Sequence, residues 1–410
     1  MIKIFLKKGK GESLKRYHPW VFSGAIGKIQ DNGKEPMDGD IVEVYSSEKE
    51  FLGVGHYQIG SIAVRILSFE KREIDNKFWF ESISRAYELR KKLSLVSDLN
   101  AYRLVHGEGD FLPGLIIDIY GHTAVIQAHS AGMFLAKDKI SDALKNLYGD
   151  KLSAIYDKSS GTAPFKAGLD LKDGYLFNNE DPLNNVDHSH NQYYVYENGN
   201  KFYVNWIEGQ KTGFFLDQRD NRELVKKYSK DKNVLNLFCY TGGFSVYALS
   251  GGAKHVDSVD SSAKAIDMAL KNVELNGYIN DTSSTVGAHS AFCTDAIEYM
   301  QNLPSNKYDL MIVDPPAFAK HKGALSNALR AYKRLNALAI EKVAKGGIIF
   351  TFSCSQVVDK NEFALTIFSA AAITGRKVRI LHRLTQPADH PVNIYHPEGE
   401  YLKGLVLYVE

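Results

Sequence analysis

The chain has 410 residues, of which 44% are hydrophobic and 24% charged, with a formal net charge of +2. That length holds two or three domains with sizeable cores, and the composition is that of an ordinary soluble protein. No apolar run approaches the length needed to span a bilayer, and the opening Met1-Ile2-Lys3-Ile4-Phe5-Leu6-Lys7-Lys8 lacks the apolar core of a signal peptide. A cytoplasmic protein with no membrane association is therefore expected. Cys239, Cys293 and Cys354 form neither a C-x-x-C pair nor a disulfide framework, and no bound metal is expected.

The first twenty residues set Lys3, Lys7, Lys8, Lys10, Lys15 and Arg16 against a single acid, Glu12, with Tyr17, His18, Trp20 and Phe22 close behind. Basic residues beside aromatics suit phosphate contact and base stacking; a solvated basic edge strand would carry the same pattern. Gly39 to Tyr45, Phe51 to Gly55 and Ile62 to Leu67 read as short alternating strands between polar turns. They predict a small β-barrel of about 70 residues. With its Asp38-Gly39-Asp40 entry, this segment resembles the PUA domain, an RNA-binding barrel.

From Asp75 to Leu93 the apolar spacing is helical, Tyr102 to Tyr120 reads as a hairpin around Gly107-Glu108-Gly109-Asp110, and Thr123 to Ala128 adds a strand. A helix over Phe134 to Leu147 and a strand at Ala154 to Asp157 complete a small α+β module with no catalytic constellation. Ser159 to Asn191, rich in Gly, Asn, Asp and Pro, reads as linker or irregular loop. A hairpin crosses Glu197-Asn198-Gly199-Asn200. Lys211 to Arg222 then combines glycine, paired aromatics and alternating charges more densely than a helix cap needs, which favours a ligand-facing role.

The rest of the chain is organised around Asn233 to Asp260. A buried-strand pattern at Val234 to Phe238 breaks at Cys239-Tyr240-Thr241-Gly242-Gly243, and a second strand ends on Asp260, roughly twenty residues after the turn, as in a nucleotide-binding βαβ unit. The turn is not G-x-G-x-x-G and holds no cation for a pyrophosphate. Helices and strands alternate beyond it to the C-terminus, which means a doubly wound, mostly parallel sheet. Asn236 to Phe238, Asp260, Asp295, Asp314 and Cys354 all fall at predicted carboxyl ends of strands, where such sheets bind ligands. Asp314-Pro315-Pro316 is the sharpest of these, because two prolines without backbone donors hold a carboxylate rigidly at a strand tip. Strand-end acids without a phosphate site describe an adenosine ligand more readily than NAD.

From Lys211 onward the chain resembles class I S-adenosylmethionine-dependent methyltransferases. More closely it is similar to bacterial 23S ribosomal RNA large-subunit (cytosine-5) methyltransferases that carry an N-terminal PUA domain. The matching stretches are Lys211 to Arg219, Tyr240 to Phe244, Asp314-Pro315-Pro316, Phe352-Ser353-Cys354-Ser355, Ala388-Asp389-His390-Pro391 and Tyr401-Leu402-Lys403-Gly404. The resemblance implies a cofactor site lined by Phe215, Gln218, Asn236, Phe238, Tyr240, Thr241, Ser245, Asp260, Ser261, Asp295, Ala296, Asp314 and Pro315. It implies three domains: a PUA-like barrel over 1–70, a spacer module and linker over 71–185, and a Rossmann-like methyltransferase domain over 186–410, with an antiparallel last strand.

The expected reaction is methyl transfer to C5 of a cytosine in 23S ribosomal RNA. Cytosine C5 is a poor nucleophile, so Cys354 would add to C6 as a thiolate and Asp314 would hold N3. Transfer to an exocyclic base amine, which needs no cysteine, is the alternative within enzymes. A nicotinamide dehydrogenase and a non-catalytic RNA-binding factor are the readings from other classes. Lys320, His321, Lys322, Arg330, Lys333 and Arg334 are candidates for RNA phosphate contact, or else a solvated helix face. A homodimer is possible on sequence grounds.

Overall fold

The computed structural model describes the whole chain except residues 31–32, 34, 98–99, 165–166, 180–185, 188–191, 280–286 and 320. Two compact units make up the chain. One comprises Met1–Val195, Val204–Leu216 and Ala388–Gly399, the other Tyr196–Tyr203, Asp217–Pro387 and Glu400–Glu410. Among the described residues, no helix is long and apolar enough to cross a membrane.

In the first unit, six strands form one sheet in the order Trp20–Phe22, Ile62–Ser68, Phe51–Tyr57, Ile41–Tyr45, Ile2–Leu6, Ile26–Gln30. Ile2–Leu6 pairs on both sides, parallel to Ile41–Tyr45 and antiparallel to Ile26–Gln30. It is an inner strand, which rules out the edge-strand reading. The exposed Lys7, Lys8 and Lys10 follow it in a loop.

A second sheet of this unit has five strands, ordered Gly174–Asn178, Ala154–Asp157, Thr123–Ala128, Leu115–Tyr120, Ala101–His106. The strand Gly174–Asn178 corrects the linker reading. Tyr175, Leu176 and Phe177 are a short β-prone run inside a Gly/Asn-rich stretch, and antiparallel pairing with Ala154–Asp157 satisfies their backbone. Other parts of the predicted linker lie outside the described residues. The helix expected over Phe134 to Leu147 is two helices, Ala131–Leu135 and Lys137–Tyr148. Ser130 caps the first by accepting the Met133 N–H, and the chain turns at Ala136 (φ −88°, ψ 0°).

Several buried charges of this unit are held in pairs. Arg90 donates to both oxygens of Asp110 (2.5 and 2.7 Å) and to the Asp389 carbonyl (2.8 Å). Arg103 holds Asp118 in the same two-toothed way, at 2.7 and 2.8 Å. Thr212, from the Lys211-Thr212-Gly213 stretch, donates to Asp118 at 2.5 Å. Removing one partner from such pairs leaves an uncompensated buried charge, so each anchors its segment firmly.

The second unit is a seven-stranded sheet. Its strands are β1 (Asn233–Leu237), β2 (His255–Asp260), β3 (Ala288–Cys293), β4 (Leu310–Val313), β5 (Gly347–Ser353), β6 (Val378–Leu384) and β7 (Lys403–Val409), in the order β3-β2-β1-β4-β5-β7-β6. β1 to β5 run parallel, and β7 lies antiparallel between β5 and β6. β4 and β5 are buried along their whole length, which is why they read as unbroken apolar runs. The flanking helices are α1 (Arg219–Tyr228), α2 (Gly243–Ser250), α3 (Ala263–Leu275), α4 (Ala296–Gln301), α5 (Leu325–Lys342) and α6 (Lys360–Thr374). Asp359 and Glu362 form a capping box at the start of α6. This alternation brings the carboxyl ends of β1 to β5 to one rim.

Candidate active site

At the end of β1 the chain turns through Phe238 (φ +57°), Tyr240 (φ +46°) and Gly242 (φ +77°). Left-handed backbone at two non-glycine residues costs about 1–3 kcal/mol each and must be held by its surroundings. Three hydrogen bonds hold it: Cys239 N–H to the Val259 carbonyl (3.0 Å), Gly242 N–H to the Cys239 carbonyl (2.8 Å) and Tyr240 N–H to Asp260 Oδ2 (2.9 Å). At Gly242 a side chain would meet Ala269 of α3 at 3.0 Å, so only glycine fits. Thr241 is fixed from below, its carbonyl accepting from Asn272 Nδ2 at 2.8 Å.

Asp260 receives backbone N–H groups on both oxygens, from Tyr240 and, at 2.9 Å, from Ser262. Each oxygen keeps a further acceptor site. Beneath the turn runs a buried chain of bonds: Asn236 Nδ2 to Ser245 Oγ (2.8 Å), Ser245 Oγ with Ser258 Oγ (2.6 Å), and Ser258 Oγ with His289 Nε2 (2.8 Å). Burial drives the His289 pKa down to about 4, so the ring is neutral there. Asn236 Oδ1 is buried without a hydrogen-bond partner among the described residues. At the end of β3, Asp295 caps α4 with Oδ1, accepting from Ile297 and Glu298 at 2.8 and 3.0 Å; Ser261 and Asp295 are exposed and Ala296 is buried.

The end of β4 is built differently. Asp314 leads into Pro315-Pro316, and its Oδ2 accepts from Gln218 Nε2 at 3.0 Å. Gln218 is oriented in turn by Asn221, whose Nδ2 donates to Oε1 at 2.6 Å. Past the prolines, the Ala319 carbonyl accepts from Ser355 Oγ at 2.5 Å. That bond ties the Asp314 loop to the loop after β5, where Cys354 stands half-buried between the fully buried Ser353 and Ser355. Tyr332 of α5 closes the floor, accepting from Ser353 Oγ at 3.0 Å and packing its ring 4.6 Å from that of Phe318. Burial pushes its hydroxyl up to about 12, Ser353 opposes this, and nearby Cys354 and Asp314 add to it, so Tyr332 stays a neutral phenol.

The candidate residues thus gather on one rim, with one exception. Phe215 belongs to the first unit, where the Lys211 ammonium lies 4.2 Å from its ring centroid. Of the other cysteines, Cys239 is buried, and burial raises its thiol well above the usual range; Cys293 is exposed at the end of β3. Arg330, Lys333 and Arg334 line a groove of about 350 Å³ with Gln301, Leu338 and Ile373, while Lys320 lies outside the described residues. Sequence reasoning missed Asn272 and Tyr332. Asn272 was detectable as a polar residue on the apolar stripe of α3, between Ala269 and Val273. Tyr332 carried no signal, being one more apolar-face aromatic.

S-Adenosylmethionine fits this rim. A carboxylate fixed by two N–H groups and still able to accept suits ribose hydroxyls, the orphaned Asn236 oxygen awaits a donor, and a turn without Lys or Arg has no use for a pyrophosphate. The sheet order and this strand-end acid define a class I S-adenosylmethionine-dependent methyltransferase. Comparison with known proteins agrees. Residues 183–397 match the S-adenosylmethionine-dependent methyltransferase family, and residues 4–69 match the PUA-like domain family.

Among curated relatives, the Ribosomal RNA large subunit methyltransferase I of Aeromonas hydrophila is 42% identical over 407 residues, covering 98% of both chains. The protein of the same name from Aliivibrio fischeri is 40% identical over 410 residues, covering 100% of this chain and 99% of its own. A solved Streptococcus mutans protein bearing the name of a SAM-dependent methyltransferase superimposes with a TM-score of 0.80 at 25% identity over the full length of both chains. A methyltransferase solved with S-adenosylhomocysteine gives 0.81 at 26%, again over both full lengths. The chain belongs to the S-adenosylmethionine-dependent methyltransferases, in the family of the Ribosomal RNA large subunit methyltransferase I proteins.

Proposed function

We propose that this enzyme methylates C5 of a cytosine in 23S ribosomal RNA through a covalent adduct with Cys354. The observation that carries the reading is the 2.5 Å bond from Ser355 to Ala319, which joins the loop bearing the thiol to the loop bearing Asp314. A nucleophile and an acid that must act on opposite sides of one pyrimidine ring need such a fixed relation. The names of the relatives support ribosomal RNA as the substrate.

When bound, the cofactor supplies an electrophilic methyl group. Asp260 would hold its ribose, Asp295 its adenine amine, and the turn from Phe238 to Thr241 its flank, with Ser261, Ala296, Gln218 and Pro315 completing the walls. Asn236 and Ser245 support that turn from beneath. On the substrate side, the Cys354 sulfur bonds to C6, and the C5–C6 π pair becomes available at C5 for the new C–C bond. Asp314, sharing a proton with N3, steadies the charge that develops on the ring. Loss of the C5 proton to a base then returns the pair to the ring, and the S–C6 bond breaks to regenerate the thiolate. The PUA-like segment, with Lys7, Lys8 and Lys10 exposed, would grip RNA phosphates.

RNA carrying 5-fluorocytosine at the target should trap a covalent complex, because fluorine cannot leave as a proton. The adduct should form with wild type and with Cys239→Ala and Cys293→Ala, and fail with Cys354→Ser. Turnover by Cys354→Ala at a near-normal rate would reject the thiolate route and leave an amine acceptor as the product to look for by nucleoside mass mapping.

A further inference from the structure

β7 runs antiparallel beside β5 with Lys403 opposite Ser353, one residue before Cys354. The strands are pressed together just there, since a side chain at Gly404 would strike the Phe352 ring at 2.6 Å. Lys403 is consequently only 6% exposed. Its Nζ donates to the carbonyls of Ser355 (2.6 Å) and Val358 (2.7 Å), the residues that shape the turn after Cys354. Among the described residues it makes no salt bridge and no third hydrogen bond. A buried ammonium without a carboxylate is costly and calls for a countercharge.

We propose that Lys403 is a positioning residue for the reaction: its buried ammonium stabilises the Cys354 thiolate and fixes the turn that carries it. This rests on the assignment of Cys354 as nucleophile. Burial depresses the Lys403 pKa to about 8, and Cys354 is the foremost group pulling it back up, followed by Glu400, Asp359 and Glu362. Tyr332, which also lies near Cys354, is a neutral phenol and adds no positive charge. An ordinary thiol, with a pKa of about 8.5, is only a few per cent ionised at neutral pH, whereas an adjacent cation favours the charged form by about 1–3 units.

The test uses the full-length protein without RNA or cofactor. The rate of Cys354 alkylation by iodoacetamide is followed against pH by peptide mass, so Cys239 and Cys293 do not interfere. Wild type should give a midpoint below about 8.5. In Lys403→Met the rate at pH 7 should drop about ten-fold or more, one decade per unit of displaced midpoint, and Lys403→Arg should restore most of it. Ser355→Ala loosens the same turn but keeps the ammonium, and its midpoint should stay at the wild-type value. A wild-type midpoint at or above that of a free thiol overturns the proposal without any variant. So does an unmoved midpoint in Lys403→Met, or an equal displacement in Ser355→Ala. If Lys403→Met fails to fold, wild type and Lys403→Arg decide the matter. A Lys403-dependent midpoint with no fluorocytosine adduct would remove Cys354 from the chemistry while leaving the pairing intact; an adduct with an ordinary midpoint would do the reverse.

Discussion

At the end of β1 the backbone turns through left-handed Phe238 and Tyr240, and its strain is balanced by bonds to Asp260, Val259 and Cys239. At the end of β4 it turns through two prolines, which need no such bonds because their φ is fixed near −65°. The first half of the rim therefore depends on side chains and backbone groups from β2, α3 and the hairpin before α1. The second half is set by covalent geometry and two cross-loop bonds, from Gln218 to Asp314 and from Ser355 to Ala319. What this contrast teaches is a division of labour. Under the proposed function, the half that would receive the cofactor is shaped by many separate contacts, while the half that would do the chemistry relies on a few residues.

The largest effect should therefore come from the second half. Cys354→Ala is expected to cut turnover by about 10⁴-fold or more, as loss of a nucleophile does, while calorimetry finds cofactor affinity within about two-fold of wild type. A matching loss of affinity would erase the division. Next comes the support under the first half. Arg222, fully buried, donates to both oxygens of Glu197 at 2.8 and 2.7 Å, and Tyr247 adds a third bond to Glu197 at 2.9 Å. Arg222→Met leaves that buried carboxylate with the Tyr247 bond but without its countercharge, at a cost of about 3–5 kcal/mol. Chemical denaturation should show it, along with weaker cofactor binding.

Asp260→Ala should weaken cofactor binding by about 1–3 kcal/mol, the price of an unmet buried partner, while turnover at saturating cofactor stays within a few-fold. Unchanged affinity would take the ribose role away from Asp260. The smallest effect is a dependence on pH. His289 is neutral in both states above its unfolded pKa of about 6.5, so it contributes no pH dependence there. Below that value the unfolded chain takes up a proton while the folded chain does so only near its pKa of about 4. Stability should consequently fall as pH drops from about 6.5 towards 4, by about 1 kcal/mol over the first unit. Unfolding midpoints of wild type and His289→Gln, measured in parallel, should converge in acid. Parallel curves would show that His289 is not the group responsible.

Local pattern sufficed for much of this. Alternating helix and strand signals placed five strand ends on one rim, and the Asp314-Pro315-Pro316 turn stands out in sequence because proline acts through its own ring. Periodicity is a short-range property, however, and it cannot choose partners. It missed the strand Gly174–Asn178, whose stability comes from pairing with Ala154–Asp157 and not from its flanks. It could not assign Ala388–Gly399 to the first unit, where Asp389 accepts the Arg103 N–H at 3.0 Å across 286 residues of chain. Lys403 is an ordinary lysine in sequence. Only the antiparallel register of β7 on β5 buries it opposite Ser353, one residue before Cys354, because the free energy of an ionisable group depends on the charges and dielectric that tertiary packing brings to it.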